Sequence, residues 1–459
     1  MSEQQNSNGL NAEHLRSSLA QIAAANGIQR WDLGAACSTD ISVQVDRGEP
    51  KQMKGAQRSS ITVRVWNEQG LVGVTSTADL SGSGLERALT GAKDASAFGN
   101  ADDIPAFSPL ATAPLAELHQ PIHAPQGILR LLDTLKGAER ELLGRHDAIS
   151  TVPYNGLAER SSERIYLNSD GACRQQQLST ASLYLYARAE ETGRKPRSSG
   201  AVRLAYGAGE LDVDGCVNEA AERTISHLNY APIDTGRYTC VFSPEAFLDL
   251  VGAFSNLFNA RAVLDGVSLS HRESIGETLA VPFLDIHDNG LHPANIGASA
   301  FDGEGTPTKK LALLEGGVLR NFLHSEATAR AFGVSPTGHA GLGAKVSVGP
   351  DWFEIGPTPG SSGGQGGLDR FKASEPIVWI DSLSALHAGV KASQGSFSLP
   401  FDGWLISGGE PRSIEAATVA GDIRQVLKAI VGFEGEAKVT PDGLCPMVWV
   451  EGLSVTGEA

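Results

Sequence analysis

Ile61-Thr62-Val63-Arg64-Val65-Trp66-Asn67-Glu68-Gln69-Gly70-Leu71-Val72-Gly73-Val74-Thr75 alternates apolar and other residues, breaks at Asn-Glu-Gln-Gly, then resumes. A period of two places Ile61, Val63 and Val65 on one face of a strand, and the polar break turns the chain back. Residues 61–75 are therefore predicted to form a β-hairpin. Ile41, Val43 and Val45 show the same alternation just before it. An Ala-rich amphipathic segment, 83–97, follows it as a helix. Upstream, Asn11 can cap a helix running to about residue 26, with Leu15, Leu19 and Ile22 on one face.

The same order of elements recurs further on. Strand 164–168, a Ser169-Asp170-Gly171 turn, strand 178–188 and strand 202–206 lead into a helix at 217–228. Five prolines mark 105–125 as a linker between the two blocks, and Leu131, Leu132, Leu135 and Leu142 give a helix over 128–143. From about residue 232 the pattern changes. A helix capped by Ser243, with Pro244 in its first turn, opens a run of short strands at 279–286, 311–314, 318–323, 376–381, 396–407 and 446–455. Short helices are expected near 325–332 and 422–431, and 356–368 reads as a Gly/Ser/Pro loop. The expected class is α+β. Residues 1–12 form a disordered tail and 13–231 an N-terminal domain of two hairpin–helix blocks (about 27–104 and 126–231). A mostly antiparallel β-rich domain then occupies 232–459.

Composition excludes several function classes. The chain has 459 residues and a formal net charge of −16. Its densest basic cluster is Arg194, Lys195 and Arg197, too little to track phosphates, so general nucleic-acid binding is not expected. Five scattered cysteines without a CxxC pair argue against a disulfide framework or zinc ribbon and fit a reducing, cytoplasmic setting. The polar first residues lack the order of a signal peptide, and no apolar run is long enough for a membrane span. Gly at 53 of 459 residues implies many tight turns, hence much β-structure.

Common catalytic signatures fail on context. There is no Gly-Lys dipeptide for a P-loop and no His-Glu dipeptide for HExxH. Gly360-Ser361-Ser362-Gly363-Gly364 matches GxSxG but sits in a loop without the strand and helix that strain a nucleophile. His119 and His123 are four apart, with Pro121 between them. Asp285-Ile286-His287-Asp288 gathers three possible metal ligands, of which 285 and 287 share a strand face, or forms a polar strand end. Phe301-Asp302-Gly303-Glu304-Gly305-Thr306-Pro307-Thr308 interleaves two carboxylates with two glycines, as in a constrained loop. Its carboxylates could position a ligand or cap a turn. His387-Ala388-Gly389 places a His beside a Gly at a strand end, lining a cavity or buried.

These last two segments carry a resemblance. The 301–309 run, with Leu314-Glu315-Gly316-Gly317-Val318-Leu319 and Ala329-Arg330, resembles the "F-D-x-E-G-x-x-T … I-E-x-G-V-L … A-R" block of the TldD/PmbA family. His387-Ala388-Gly389-Val390, Gly395-Ser396-Phe397-Ser398-Leu399 and Gly403-Trp404-Leu405-Ile406 are similar to its "H-S-G-V-N … G-D-F-S-L … G-F-L-I" block. Thr418-Val419-Ala420-Gly421-Asp422 resembles "T-I-A-G-N". In the first half, Gly70–Leu80 and Leu167–Gly171 resemble "G-x-x-G-x-A-S-T-N-D-L" and "x-N-S-x-G". Ala388 and Lys391 depart from the pattern, which has Ser and Asn there.

The resemblance implies a subunit of a soluble, peptide-degrading metalloprotease. TldD-type chains carry HExxxH on the first helix of the C-terminal half, completed by a later Cys; TldE/PmbA-type partners lack these ligands. The corresponding stretch here, 245–261, contains no His, so Cys445 alone cannot hold catalytic zinc. The expectation is a chain without catalytic residues, metal or cofactor of its own, with zinc in a TldD-like partner. Asp302, Glu304, His387 and Gly389 would line a peptide cavity shared by a heterodimer. A self-associating scaffold, homodimeric and gyrase-modulator-like, is the rival expectation, and an enzyme using carboxylates alone, with Glu304 as base, is a third.

Overall fold

The computed structural model describes residues 10–101, 104–343, 345–361, 375–408 and 410–457. Its first half is a six-stranded antiparallel sheet in the order β3-β2-β1-β4-β5-β6. The strands are β1 (Arg30–Asp46), β2 (Glu49–Trp66), β3 (Val72–Thr77), β4 (Ile149–Asn168), β5 (Cys173–Ala189) and β6 (Arg197–Ala205). The 61–75 hairpin is β2–β3, with Ile61 opposite Thr77 and Trp66 opposite Val72. The two blocks are not separate layers. β1 pairs with β4 from Asp32↔Asn168 to Val43↔Leu157, fusing both blocks into one sheet.

Strands this long carry two helical layers on one face. Leu33, Ile61 and Val63 pack under Leu15 and Leu19 of α1 (Ala12–Ala25) and Leu85 and Leu89 of α2 (Gly82–Ser96). Further along the same strands, Val43, Leu157 and Leu183 pack under Leu131 and Leu135 of α3 (Ile128–Leu143) and Val217 and Ala220 of α4 (Val213–Ser226). A polar groove of about 500 Å³ crosses the strands between the two pairs, lined by Cys37, Thr39, Gln57, Ser161, Glu163 and Gln177. Leu10 lies at this groove. It is buried, and its N–H donates to Glu163 Oε2 at 2.6 Å, so Leu10, expected within the tail, is packed against the sheet. Residues 1–9 lie outside the described residues.

The C-terminal half is mostly antiparallel, as expected. Its main sheet has thirteen strands among the described residues. Gly443–Gly457 runs through its middle, antiparallel to Gly236–Phe242 and Ile430–Thr440 and parallel to Phe353–Pro357. Helix α5 (Pro244–Ala253) is capped by Ser243 and buries Phe247, Leu248, Leu250 and Val251 against this sheet. The stretch expected as one helix to residue 261 instead breaks. A 3-10 turn occupies Ser255–Phe258, and Asn259 caps a new short helix with its side chain. Strands Ala417–Asp422 and Ile430–Thr440 escape the sequence reading. The 362–364 part of the GxSxG match lies outside the described residues.

The Pro-rich segment is more than a spacer. Phe107 is buried edge-on against Trp66, with ring centroids 4.8 Å apart. Trp66 Nε1 donates to the Pro105 carbonyl at 2.8 Å. The segment thereby fastens the uncovered face of the N-terminal sheet towards the C-terminal half.

Candidate functional site

The 301–308 loop meets the N-terminal sheet on the face opposite its helices. Strand alternation sends Asp32, Arg64 and Tyr166 to that face, away from Leu33, Val63 and Val65. Arg64 Nε donates to both Asp32 carboxylate oxygens at 2.9 and 3.1 Å, and Nη2 donates to Oδ2 at 2.5 Å. Arg64 Nη1 donates to Glu304 Oε1 at 3.1 Å, and the Tyr166 hydroxyl donates to Asp32 Oδ2 at 3.0 Å. The other Glu304 oxygen accepts from the Glu326 N–H at 2.9 Å. Burial pushes the Glu304 carboxyl up to about 7; Arg64 opposes this shift and Asp302 adds to it.

Asp302 shapes the loop that delivers Glu304. Its Oδ1 accepts from the backbone N–H groups of Glu304 (2.8 Å) and Thr306 (2.9 Å), and its Oδ2 accepts from Ala340 N–H (2.9 Å). Gly305 adopts φ +76°, and a Cβ there would come within 2.5 Å of the Tyr166 ring.

The four expected cavity residues do not form one site. Glu304 is fully buried with both oxygens committed, so it cannot face a peptide or act as a base towards one. A carboxylate in this loop is the natural partner for the otherwise unpaired Glu304-facing nitrogen of Arg64, and that pairing takes it out of solvent reach. Asp302 touches a small cavity, but its carboxylate serves the loop backbone. His387 is exposed on the short helix Leu386–Gly389 and has no hydrogen bond or ion pair with Asp302 or Glu304 among the described residues. Gly389 is needed for close approach, since a Cβ there would lie 2.4 Å from the Ser398 carbonyl oxygen.

The small cavity, about 250 Å³, brings together Arg164, Asp302, His339 and Asp351. His339 Nε2 lies 3.1 Å from Asp288 Oδ1, and both side chains are fully buried. Burial pulls the His339 imidazole down, but the hydrogen bond and charge of Asp288 more than offset this and leave it raised. Burial pushes Asp351 up to about 6, with Asp288 and Asp302 adding to the shift and His339 and Arg164 opposing it. The sequence reading weighed Asp288 only with its chain neighbours Asp285 and His287. Asp285 Oδ1 accepts from Gly316 N–H at 2.7 Å and from Thr358 Oγ1 at 2.6 Å, fixing a turn. Asp288, one residue beyond His287, points the other way, as period-two alternation requires. Only the fold brings Asp288 beside His339 and Asp351, which lie more than fifty residues away.

Helix α5 presents Glu245 and Asp249 as its titratable groups and no imidazole. Burial, with Asp442 and Glu245, pushes Asp249 up to about 6. Cys445 is fully buried, its Sγ 3.2 Å from the Pro446 carbonyl oxygen, and burial pushes its thiol well up. A zinc centre of two His and one Cys does not fit this donor set.

Comparison with known proteins places this geometry. Residues 235–457 match the PmbA/TldA metallopeptidase C-terminal domain, and residues 124–228 match its central domain. The chain is 22% identical over 436 residues to Metalloprotease PmbA of Escherichia coli O157:H7, covering 92% of this chain and 91% of that one. Its fold is similar to a putative modulator of a DNA gyrase from Thermotoga maritima (TM-score 0.85, 25% identity, 97% of this chain and 100% of that one). It is also similar to TldE from Thermococcus kodakarensis (TM-score 0.80, 18% identity, 97% and 100%), a likeness of fold. The ordered motifs, the paired domain matches and the near full-length likeness agree, and the chain belongs to the PmbA/TldD metallopeptidase family.

Proposed function

We propose that this chain is the TldE/PmbA-type subunit of a two-chain metalloprotease that degrades peptides, with the zinc chemistry supplied by a TldD-like partner. The observation that carries this reading is α5, which lacks His where TldD-type chains carry HExxxH. Peptide hydrolysis of that kind needs a zinc-bound water with a lowered pKa, held by three protein ligands. This chain would instead contribute wall and shape to a shared, cytoplasmic cavity that admits unfolded peptide. An exposed patch on the uncovered end of the sheet supports a subunit role. Tyr154, Tyr186, Val202 and Leu204 are all more than a third exposed, and the Tyr154 ring lies 4.8 and 5.7 Å from those of Tyr184 and Tyr186. Tyrosines are enriched at protein interfaces because they bury large area with little loss of side-chain freedom.

Co-expression with a TldD-like chain from the same genome tests the assembly. A complex of one copy of each, measured by native mass, is the expected result, and Tyr154→Arg should weaken it. A homodimer that ignores the TldD-like chain would instead favour the scaffold reading, to which the −16 charge also lends itself.

A further inference from the structure

We propose that Asp288, His339 and Asp351 bind one divalent transition-metal ion, zinc or manganese, at the inner end of the small cavity between the two halves. The three residues come from separate segments: the end of strand Leu284–Asp288, the stretch leading into Ala340–Gly341, and the turn before Phe353–Pro357. Their donor atoms all lie within 4.8 Å of one another. Two ligands each about 2.0–2.2 Å from one ion sit about 3–3.5 Å apart in ordinary coordination geometries. His339 Nε2 and Asp288 Oδ1, at 3.1 Å, already have that spacing.

The surrounding hydrogen bonds aim these donors inward. The Thr337 hydroxyl donates to the His324 carbonyl at 3.2 Å, and its oxygen accepts from His324 N–H at 2.7 Å. With that proton directed at the His324 carbonyl, Thr337 Oγ1 is placed to accept from His339 Nδ1, 2.8 Å away. With Nδ1 held by Thr337, Nε2 is the nitrogen that faces Asp288, and a metal would bind it by displacing its proton, the outer-shell arrangement that orients ligating histidines. Asp288 Oδ2 accepts from Asp351 N–H at 2.8 Å, which holds Oδ1 towards Nε2. Charge points the same way. Asp302 and Asp351 line the cavity with Arg164 and His339, and Asp288 is buried beside His339, so three carboxylates face one guanidinium and one imidazole and a bound dication would offset the excess. This site is distinct from α5 and Cys445 and does not depend on the subunit assignment. An ion there would tie the 337–351 segment to its neighbouring strand. Through Ala340 N–H it would also steady Asp302 and the loop that carries Glu304.

The test uses the full chain, stripped with chelator and titrated with zinc or manganese chloride while calorimetry and metal content are followed. One ion per chain is expected, with affinity falling at least tenfold in Asp351→Asn and further in His339→Gln. Neighbouring groups desolvate the Asp351 carboxylate, but the residue as a whole reaches solvent, so its variant should fold even if the buried histidine variant does not. Nitrogen NMR of the unaltered chain gives a second readout. Metal should remove the Nε2 proton and shift that resonance. No uptake, equal affinity in both variants, or an imidazolium at His339 that metal leaves unchanged would overturn the site.

Discussion

Replacing Arg64 with alanine is expected to be among the most damaging single changes in the chain, costing about 3–5 kcal/mol, because it strands two buried carboxylates. Asp32 and Glu304 each receive Arg64 donors, and all three side chains are at most 1% exposed. Urea unfolding of wild type and variant measures the loss. Glu304→Gln should cost much less, since its amide oxygen can still accept from Glu326 N–H and Arg64 keeps Asp32. The two variants should also differ in pH response. Burial raises the Glu304 carboxyl from its ordinary 4.5 to about 7, so its contribution to stability is present at low pH and is lost as pH rises through 7. Burial holds His227 and His324 down near 4, so their contribution is already complete above their ordinary 6.5. Between about pH 6.5 and 7.5 wild-type stability should therefore fall, and Glu304→Gln should flatten that slope. A slope unchanged by the substitution would contradict the assignment.

Gly305→Ala should be the second most damaging. The left-handed conformation costs a residue with a Cβ about 1–2 kcal/mol, and forcing extra atoms into a packed interior adds about 1–3 kcal/mol. Here the obstacle is the Tyr166 ring, itself fully buried and bonded to Asp32. Relief requires the 301–308 loop to withdraw, which pulls Glu304 from Arg64. Faster amide exchange at Glu304 and Thr306, whose N–H groups bond to Asp302, would report that withdrawal. Exchange as slow as in wild type would show that the loop absorbs the methyl group without moving.

Local signals were legible and distant ones were not. The 61–75 hairpin, α1, α2 and α3 follow from alternation, helical spacing and caps within a few residues of one another. The pairing of β1 with β4 joins residues more than a hundred positions apart, so nothing local announces one sheet in place of two layers. Arg64 illustrates the same limit. Its place between Val63 and Val65 says that it faces away from the helices, but not that Glu304 and Asp32 will cover it. The Asp302 loop was correctly singled out as constrained, yet its carboxylates serve the junction and not a peptide. Asp288 stood out only beside its chain neighbours Asp285 and His287; His339 and Asp351 are ordinary alone, and only folding makes the three neighbours.

Unfolded peptide should be incubated with the isolated chain plus zinc, with a TldD-like chain alone, and with both together, each with and without chelator. No cleavage by this chain alone is expected, whatever its metal content, and chelator-sensitive cleavage is expected when the two are combined. Chelator-sensitive cleavage by the isolated chain would contradict the subunit assignment.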